Sequence, residues 1–336
     1  MGIFVIIKLI VKDSCTLIAI LTNSLLIYLA LTKSPPKMGN YKYLLCYFSV
    51  LSITYVTLDF LAAPYVYTFE ASSVLLMDLR NTIFTEYPAV AFLIIVSACG
   101  CFGATLAAIA INFIYRLWAL ERKGRLRYFE GKLLIAWILL SLFTGFLSAC
   151  VFWTTGPNDQ INNYIRHNLK EEYDLDVDQT SYIAFVYWKS ENRVDYLNIL
   201  DTSKLMIVNI IMIIPFSIIF YCGLKSYYQI KELISKGENE FSRRLQMQLY
   251  KALVAQTFIP TLFLFIPVSL FLVGPLIGIN VTWALRAVTV FFSIYLATES
   301  LPIIFLVDDY RTAIANIFRR CLSKPQVATV SVHDSD

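Results

Sequence analysis

Residues 88–115, PAVAFLIIVSACGCFGATLAAIAINFIY, run without one charged side chain until Arg116. At a helical rise of 1.5 Å per residue, about 20 such residues cross the roughly 30 Å hydrocarbon layer of a bilayer. Six further apolar stretches, at roughly 14–32, 43–68, 132–155, 202–224, 252–275 and 283–307, meet the same requirement. Each is bounded by charges or turn chemistry, such as Lys33-Ser34-Pro35-Pro36-Lys37 and Gly156-Pro157-Asn158-Asp159. Composition agrees. Hydrophobic residues make up 58% of the 336 positions and charged residues 15%, against about a half and a quarter in soluble domains. The expected fold class is an all-α membrane protein, a bundle of seven transmembrane helices.

Orientation follows from the placement of Lys and Arg. With the N-terminus outside, one side of the membrane collects Lys33, Lys37 and Lys42, then Arg116, Arg122, Lys123, Arg125, Arg127 and Lys132. The same side takes Lys225, Lys231, Lys236, Arg243, Arg244 and Lys251, and finally Arg311, Arg319, Arg320 and Lys324, which is 19 of the 28 basic residues. The expectation is N-terminus outside and C-terminus in the cytoplasm. Residues 1–13 then form a short extracellular segment. Lys8 and Lys12 interrupt it and no small-residue cleavage site follows, so it does not read as a cleaved signal. Gly2 is present but Ile6 breaks the myristoylation pattern.

Two stretches outside the spans carry structure. In the 156–200 loop, Gln160 to Tyr173 reads as a polar helix, and Ser181 to Trp188 (SYIAFVYW) as a strand or hairpin over the helix mouths. A loop of that length is more often a lid than an idle linker. Past the last span, Tyr310, Ile314, Ile317, Phe318 and Cys321 recur at helical spacing, with Arg311, Arg319 and Arg320 off the stripe. Residues 308–322 should form an amphipathic helix in the membrane interface, followed by a flexible tail over 323–336. Cys321 stands where palmitoylation occurs, the alternative being an unmodified thiol.

Ionisable groups inside spans are costly and face a bundle interior or cavity. Asp59 in the second span and Arg286 near the start of the seventh read either as a pair lining an outer pocket, or as a structural ion pair or interfacial anchor. Ser97 and Asn209 are further pocket candidates, or bonds between neighbouring helices. Tyr182 and Trp188 would close over that pocket from the lid. At the opposite end, Asn112, Tyr115 and Arg116 finish the third span, and Glu299 lies in the last. Arg116 reads as a latch near carboxylates of other helices, or as a routine anchor. Pro215, Pro260, Pro267 and Pro302 permit kinks in the last three spans.

No catalytic constellation occurs. His167 and His333 are the only histidines, and no HExxH, GxSxG or phosphate loop is present. Cys99 and Cys101 point to different helix faces, so no metal is expected, nor a cofactor, nor a nucleic-acid partner.

Several runs carry a resemblance: YKYLLCYFSVLSITY (41–55), INFIYRLWAL (111–120), SYIAFVYW (181–188), FYCG (220–223), LQMQLYKALVAQTFIPTLFLFIP (245–267) and LPIIFLVDDYR (301–311). Together the chain resembles the nematode seven-transmembrane chemoreceptors of the str class, a family that includes a receptor for a small diketone odorant. The first dozen residues and the tail past Cys321 fall outside the likeness. The resemblance implies a G-protein-coupled receptor (GPCR) of sensory neurons, at the ciliary plasma membrane, with an odorant-like ligand, a heterotrimeric G protein and membrane lipids as partners. It implies that Tyr115-Arg116 acts at the G-protein face and that Asp59 and Tyr310-Arg311 fit the pattern. Thr298-Glu299-Ser300-Leu301 departs from the family's Asp-Pro-Leu run. The chain also lacks NPxxY, a tryptophan-proline toggle and a cysteine pair from third helix to outer loop. A ligand-gated channel of seven-helix subunits is the alternative, opposed by the basic-residue distribution. A transporter would show a repeat between halves.

Overall fold

A computed structural model describes residues 2–322 except 81, 122, 192–193, 236–239 and 280–281. Arg122, Lys236, Lys324, His333 and the 323–336 tail therefore lie outside the described residues, as do the side chains of Arg286, Phe318, Arg320 and Cys321. Membrane-length helices are α1 (Gly2–Thr32), α2 (Tyr41–Ala62), α3 (Pro88–Glu121), α4 (Lys132–Trp153) and α6 (Ile199–Ser235). A sixth is built from α7 (Glu240–Pro260), a π-helical turn over Thr261–Phe265, and α8 (Ile266–Val273). The turn falls between Pro260 and Pro267, where two backbone N–H donors are missing. The seventh is α9 (Thr282–Thr298) with α10 (Leu301–Leu306), broken at Glu299-Ser300. Among the described residues six helices are long and apolar enough to cross a membrane. Val290–Leu306 makes a seventh when joined to the start of α11 (Asp308–Leu322), which leaves it at 97°.

What faces outward fits hydrocarbon. On α4 the side chains of Ile135, Leu139, Phe143 and Phe146 are all exposed, as are Ile210, Ile213 and Phe220 on α6. Water would reject such surfaces, whereas lipid tails accept them. The protein is therefore a multi-pass membrane protein. Between α3 and α4 the packing relies on small residues. A β-carbon on Gly145 would lie 2.7 Å from the Gly100 carbonyl oxygen, so only glycine permits this approach. Ser141 Oγ donates to the Ala104 carbonyl at 2.7 Å and Ser148 Oγ to that of Cys99 at 3.2 Å, stitching the two helices.

Two sequence-based boundaries change. The second span stops at Ala62 instead of 68: Pro64 forbids continuation, Ala63 turns to a φ of 42°, and its N–H closes the helix on the Asp59 carbonyl at 2.9 Å. The first helix starts at Gly2, so residues 2–13 continue α1 where a separate extracellular segment was expected.

At the end away from the basic residues, henceforth the lid end, the chain builds a sheet in the order β1-β2-β3. Its strands are β1 (Tyr65–Phe69), β2 (Ser72–Asp78) and β3 (Thr180–Val186), all antiparallel. A second hairpin pairs β4 (Trp188–Glu191) with β5 (Val194–Leu197). Above the sheet lies α5 (Asp159–Tyr173), capped by Asn158 Oδ1, which accepts from the Ile161 N–H at 2.9 Å. Ile161, Ile165 and Leu169 recur every four residues and pack on Tyr67, Val74, Leu76, Tyr182 and Ala184. One face of the sheet is thus spent on α5. The other looks into the bundle.

Candidate functional site

Strand alternation decides what the lid presents. The register sets Val66, Leu75 and Ile183 in one row and Ser73 beside Phe185, and these residues roof a cavity of about 140 Å³ at the lid end. Tyr55 of α2, Phe102 of α3, Phe152 of α4, Phe271 of α8 and Phe292 of α9 wall it. Apolar cavities near 150 Å³ hold a ligand the size of benzene. The roof is fastened: Ser73 Oγ donates to the Phe271 carbonyl at 2.7 Å, and Tyr187 Oη donates to Ser73 Oγ at 3.3 Å.

One polar corner interrupts this wall. Asp59 of α2 and Lys12 of α1 both line it and both are buried. Lys12 Nζ donates to the Phe60 carbonyl at 2.8 Å and stands 5.0 Å from the centre of the Phe60 ring. Opposite charges on one apolar cavity offset part of each other's desolvation. Sequence reasoning placed Asp59 and missed Lys12. The available signal was the i, i+4 spacing of Lys8 and Lys12 within an apolar run, which puts both on one helix face. Arg286 lies on α9 with its side chain outside the described residues, so the expected Asp59–Arg286 pair is not among the described contacts.

The remaining pocket candidates fall elsewhere. Tyr182 is on the opposite face of β3, under α5, where its hydroxyl donates to Asn162 Oδ1 at 2.6 Å. Burial pushes its phenol up to about 12, so it serves as a neutral donor in the lid. Trp188 is exposed and its indole N–H reaches the Leu276 carbonyl at 3.2 Å. Ser97 is half-buried beside Ala98 and Cys99, which do line the cavity. Asn209 spends its amide on the Leu205 carbonyl of its own helix at 2.9 Å. Ile183 and Phe185 line the cavity where Tyr182 was expected, because alternate residues of β3 face opposite ways.

At the basic end, Arg116 is buried where α3 meets α7. One guanidinium nitrogen donates to the Gln246 side-chain oxygen at 2.7 Å and to the Gln246 carbonyl at 3.0 Å. The guanidinium also stands 5.5 Å over the Tyr41 ring, which stacks on Tyr115. Tyr115 Oη donates to the Met38 carbonyl at 3.3 Å. The expected carboxylate partner is therefore replaced by a glutamine. Glu121, the carboxylate nearest along α3, is occupied by Arg125 and Lys225. Asn112 is buried with its side-chain oxygen unpartnered among the described residues.

Two more glutamines continue the tie along α7. Gln248 Nε2 donates to Asp308 Oδ2 at 2.5 Å, and Asp308 also holds Arg244 at 2.8 Å and Arg311 at 2.6 Å. Gln256 Nε2 donates to the Glu299 carbonyl at 3.2 Å. Glu299 itself is 1% exposed, at the break between α9 and α10. Neither of its carboxyl oxygens has a hydrogen-bond partner among the described residues. Among the described residues no cation pairs with it. Tyr55 and Phe292 of the cavity wall are in ring contact at 5.3 Å, and Phe292 touches Tyr295 at 6.2 Å. A contiguous aromatic chain thus leads from the cavity to Glu299. Tyr310 anchors α11 through its hydroxyl, 2.7 Å from Ser34 Oγ.

Comparison with known proteins gives a concordant result. The family described as "Serpentine type 7TM GPCR chemoreceptor Str" matches residues 8–315. The chain is 30% identical over 326 residues to the Caenorhabditis elegans "G-protein coupled receptor str-33", covering 96% of this chain and 94% of that one. It is 28% identical over 296 residues to the C. elegans "Serpentine receptor class r-10", covering 87% and 85%. With the C. elegans "G-protein coupled receptor str-217" it shares 29% identity over 303 residues, covering 88% and 86%.

Proposed function

Because the chain belongs to the Str family of serpentine seven-transmembrane chemoreceptors, we propose that it binds a small external ligand in the lid-end cavity and activates a heterotrimeric G protein through its basic end. In this reading the lid end is extracellular, the basic end and the C-terminus are cytoplasmic, and the protein works at the plasma membrane, in the cilium of a sensory neuron. The observation that carries the reading is the roofed aromatic cavity with its single charged corner. Its volume and lining suit a small, weakly polar, odorant-like molecule, since such sites are mostly apolar with a few placed polar groups. Asp59, Lys12, Ile183 and Phe185 are the residues assigned to ligand recognition. Asn112, Tyr115, Arg116, Gln246 and Glu299 are assigned to the switch and the G-protein face. A ligand that prefers the conformation with α7 displaced shifts the population toward it, and α7 must then leave its three glutamine contacts.

Expression in a reporter cell with a panel of small volatiles tests the activity. Responses to a subset of the panel that appear only with a co-expressed G protein are expected. Ligand-gated current without any G protein would sink the receptor reading in favour of a channel.

Orientation has its own test. An epitope tag inserted near Lys170 on the exposed side of α5 should stain unpermeabilised cells, while a C-terminal tag should need permeabilisation. The reverse staining would overturn the assignment of the two ends.

A further inference from the structure

The basic ends of α3, α4 and α6 enclose a lateral groove of about 440 Å³. Its wall is apolar and aromatic, with Ile114 and Trp118 of α3, Trp137 of α4, and Ile218 and Tyr221 of α6. Its rim is charged: Arg125 and Lys225 both line it. These two cations converge on one carboxylate. Arg125 Nη1 lies 2.9 Å and Lys225 Nζ 2.8 Å from the two oxygens of Glu121, whose side chain is only 2% exposed. The cations themselves stay 46% and 38% exposed. Glu121 offsets one of the two charges and leaves one in excess among these three groups, and the part-exposed cations can be reached by a further anion. Arg127, over the Tyr128 ring at 5.1 Å, adds to the positive field of the same connection.

A groove in a lipid-facing wall does not stay empty, because its lining would lose dispersion contacts that an acyl chain supplies. The wall therefore selects a chain, and the rim selects the headgroup. We propose that this groove is a binding site for an anionic phospholipid, with the acyl chain along Ile114, Ile218 and Tyr221 and the phosphate against Arg125 and Lys225. Basic pockets between transmembrane helices at the cytoplasmic surface have the chemistry for such headgroups. Because Arg125 follows α3 and Lys225 belongs to α6, a phosphate held by both joins the ends of two helices that border the G-protein face. The choice of the cytoplasmic leaflet rests on the orientation proposed above; the chemistry of the groove does not.

The full-length receptor is reconstituted in nanodiscs of phosphatidylcholine doped with phosphatidylserine, the same in both leaflets. Binding there is independent of orientation, so a failed topology test and a failed lipid site remain distinguishable. Native mass spectrometry reads the retained lipid. Retention of about one phosphatidylserine in preference to phosphatidylcholine is expected, with that preference reduced roughly tenfold or more in the Arg125→Gln/Lys225→Gln double variant. A control, Lys33→Gln/Lys251→Gln, removes equal charge elsewhere at the basic end and should keep the preference. Soluble inorganic phosphate at millimolar concentration should not displace the lipid. Equal retention of both lipids, equal loss in the control, or displacement by phosphate would each overturn the proposal. Should the double variant fail to fold, a photoreactive phosphatidylserine on the unaltered protein decides the matter. Crosslinks within 114–125 or 217–225 support the site, and crosslinks confined to other segments refute it.

Discussion

Lys12→Met alone and Asp59→Asn alone should each damage the receptor severely, and the double variant should recover much of the loss. Removing one of two opposite buried charges costs about 3–5 kcal/mol where the other relies on it, whereas replacing both by uncharged groups is often near neutral. Lys12 and Asp59 are opposite charges, both buried, on the same apolar cavity. The singles should therefore lower surface expression and thermal stability, and where they reach the surface should lower agonist potency by more than tenfold. The double should regain stability while its ligand preference shifts toward wholly apolar molecules, because the charged corner is gone. Melting temperature and surface staining read the first effect, and the reporter panel reads the second. Strictly additive losses would show that the two charges do not interact. Running Arg286→Gln against Asp59→Asn in the same assay tests the pairing that the sequence had pointed to. A large coupling there would mean that a second cation shares the carboxylate.

The parts of the molecule legible from sequence were those governed by local rules. An uncharged run such as 88–115 has no stable home but a membrane helix, and the polar stretch Gln160 to Tyr173 reads as the helix that α5 forms. What stayed hidden depends on partners distant in the chain. Tyr65 to Thr68 fell within the expected second span and β2 had no sequence signal, because the turn at Glu70-Ala71 lacks the usual Asn-Gly pair and β2 is defined by pairing with β3 over a hundred residues on. SYIAFVYW was readable as a strand, but which face meets the bundle depends on where α5 settles, so Tyr182 was assigned the place that Ile183 and Phe185 hold. Lys12 was passed over for its nearness to the N-terminus. Arg116 was recognised, yet its partner lies 130 positions away and is neutral, which no rule of charge matching would select.

Gln246→Ala should raise ligand-independent signalling, and Arg116→Ala should abolish ligand-evoked signalling, even though the two residues are bonded to each other. The Gln246 side chain accepts a charge-assisted hydrogen bond from Arg116 at 2.7 Å. Bonds of that kind contribute about 1.5–3 kcal/mol, so losing this one shifts the open-to-closed ratio roughly ten- to a hundredfold. The backbone carbonyl of residue 246 still accepts from Arg116 at 3.0 Å, which keeps the effect toward the lower end. Adding Gln248→Ala removes the tie to Asp308 and should raise basal activity again, additively, since the two bonds share no partner. Arg116→Ala removes both bonds to residue 246 and releases α7 further, but it deletes the cation assigned to the G protein, so its basal activity should fall to background. Surface expression and ligand binding should persist in that variant. If instead Arg116→Ala fails to reach the surface, the arginine is an anchor of helix packing and not a coupling residue. Basal signalling unchanged in Gln246→Ala at normal surface level would remove the glutamine latch. Glu299→Gln separates a third contact: it keeps the carbonyl that Gln256 holds and alters only the unsatisfied carboxyl group. A change in basal signalling there is the mark of a switch located in the carboxyl group itself. Wild-type behaviour assigns the switch to the backbone tie.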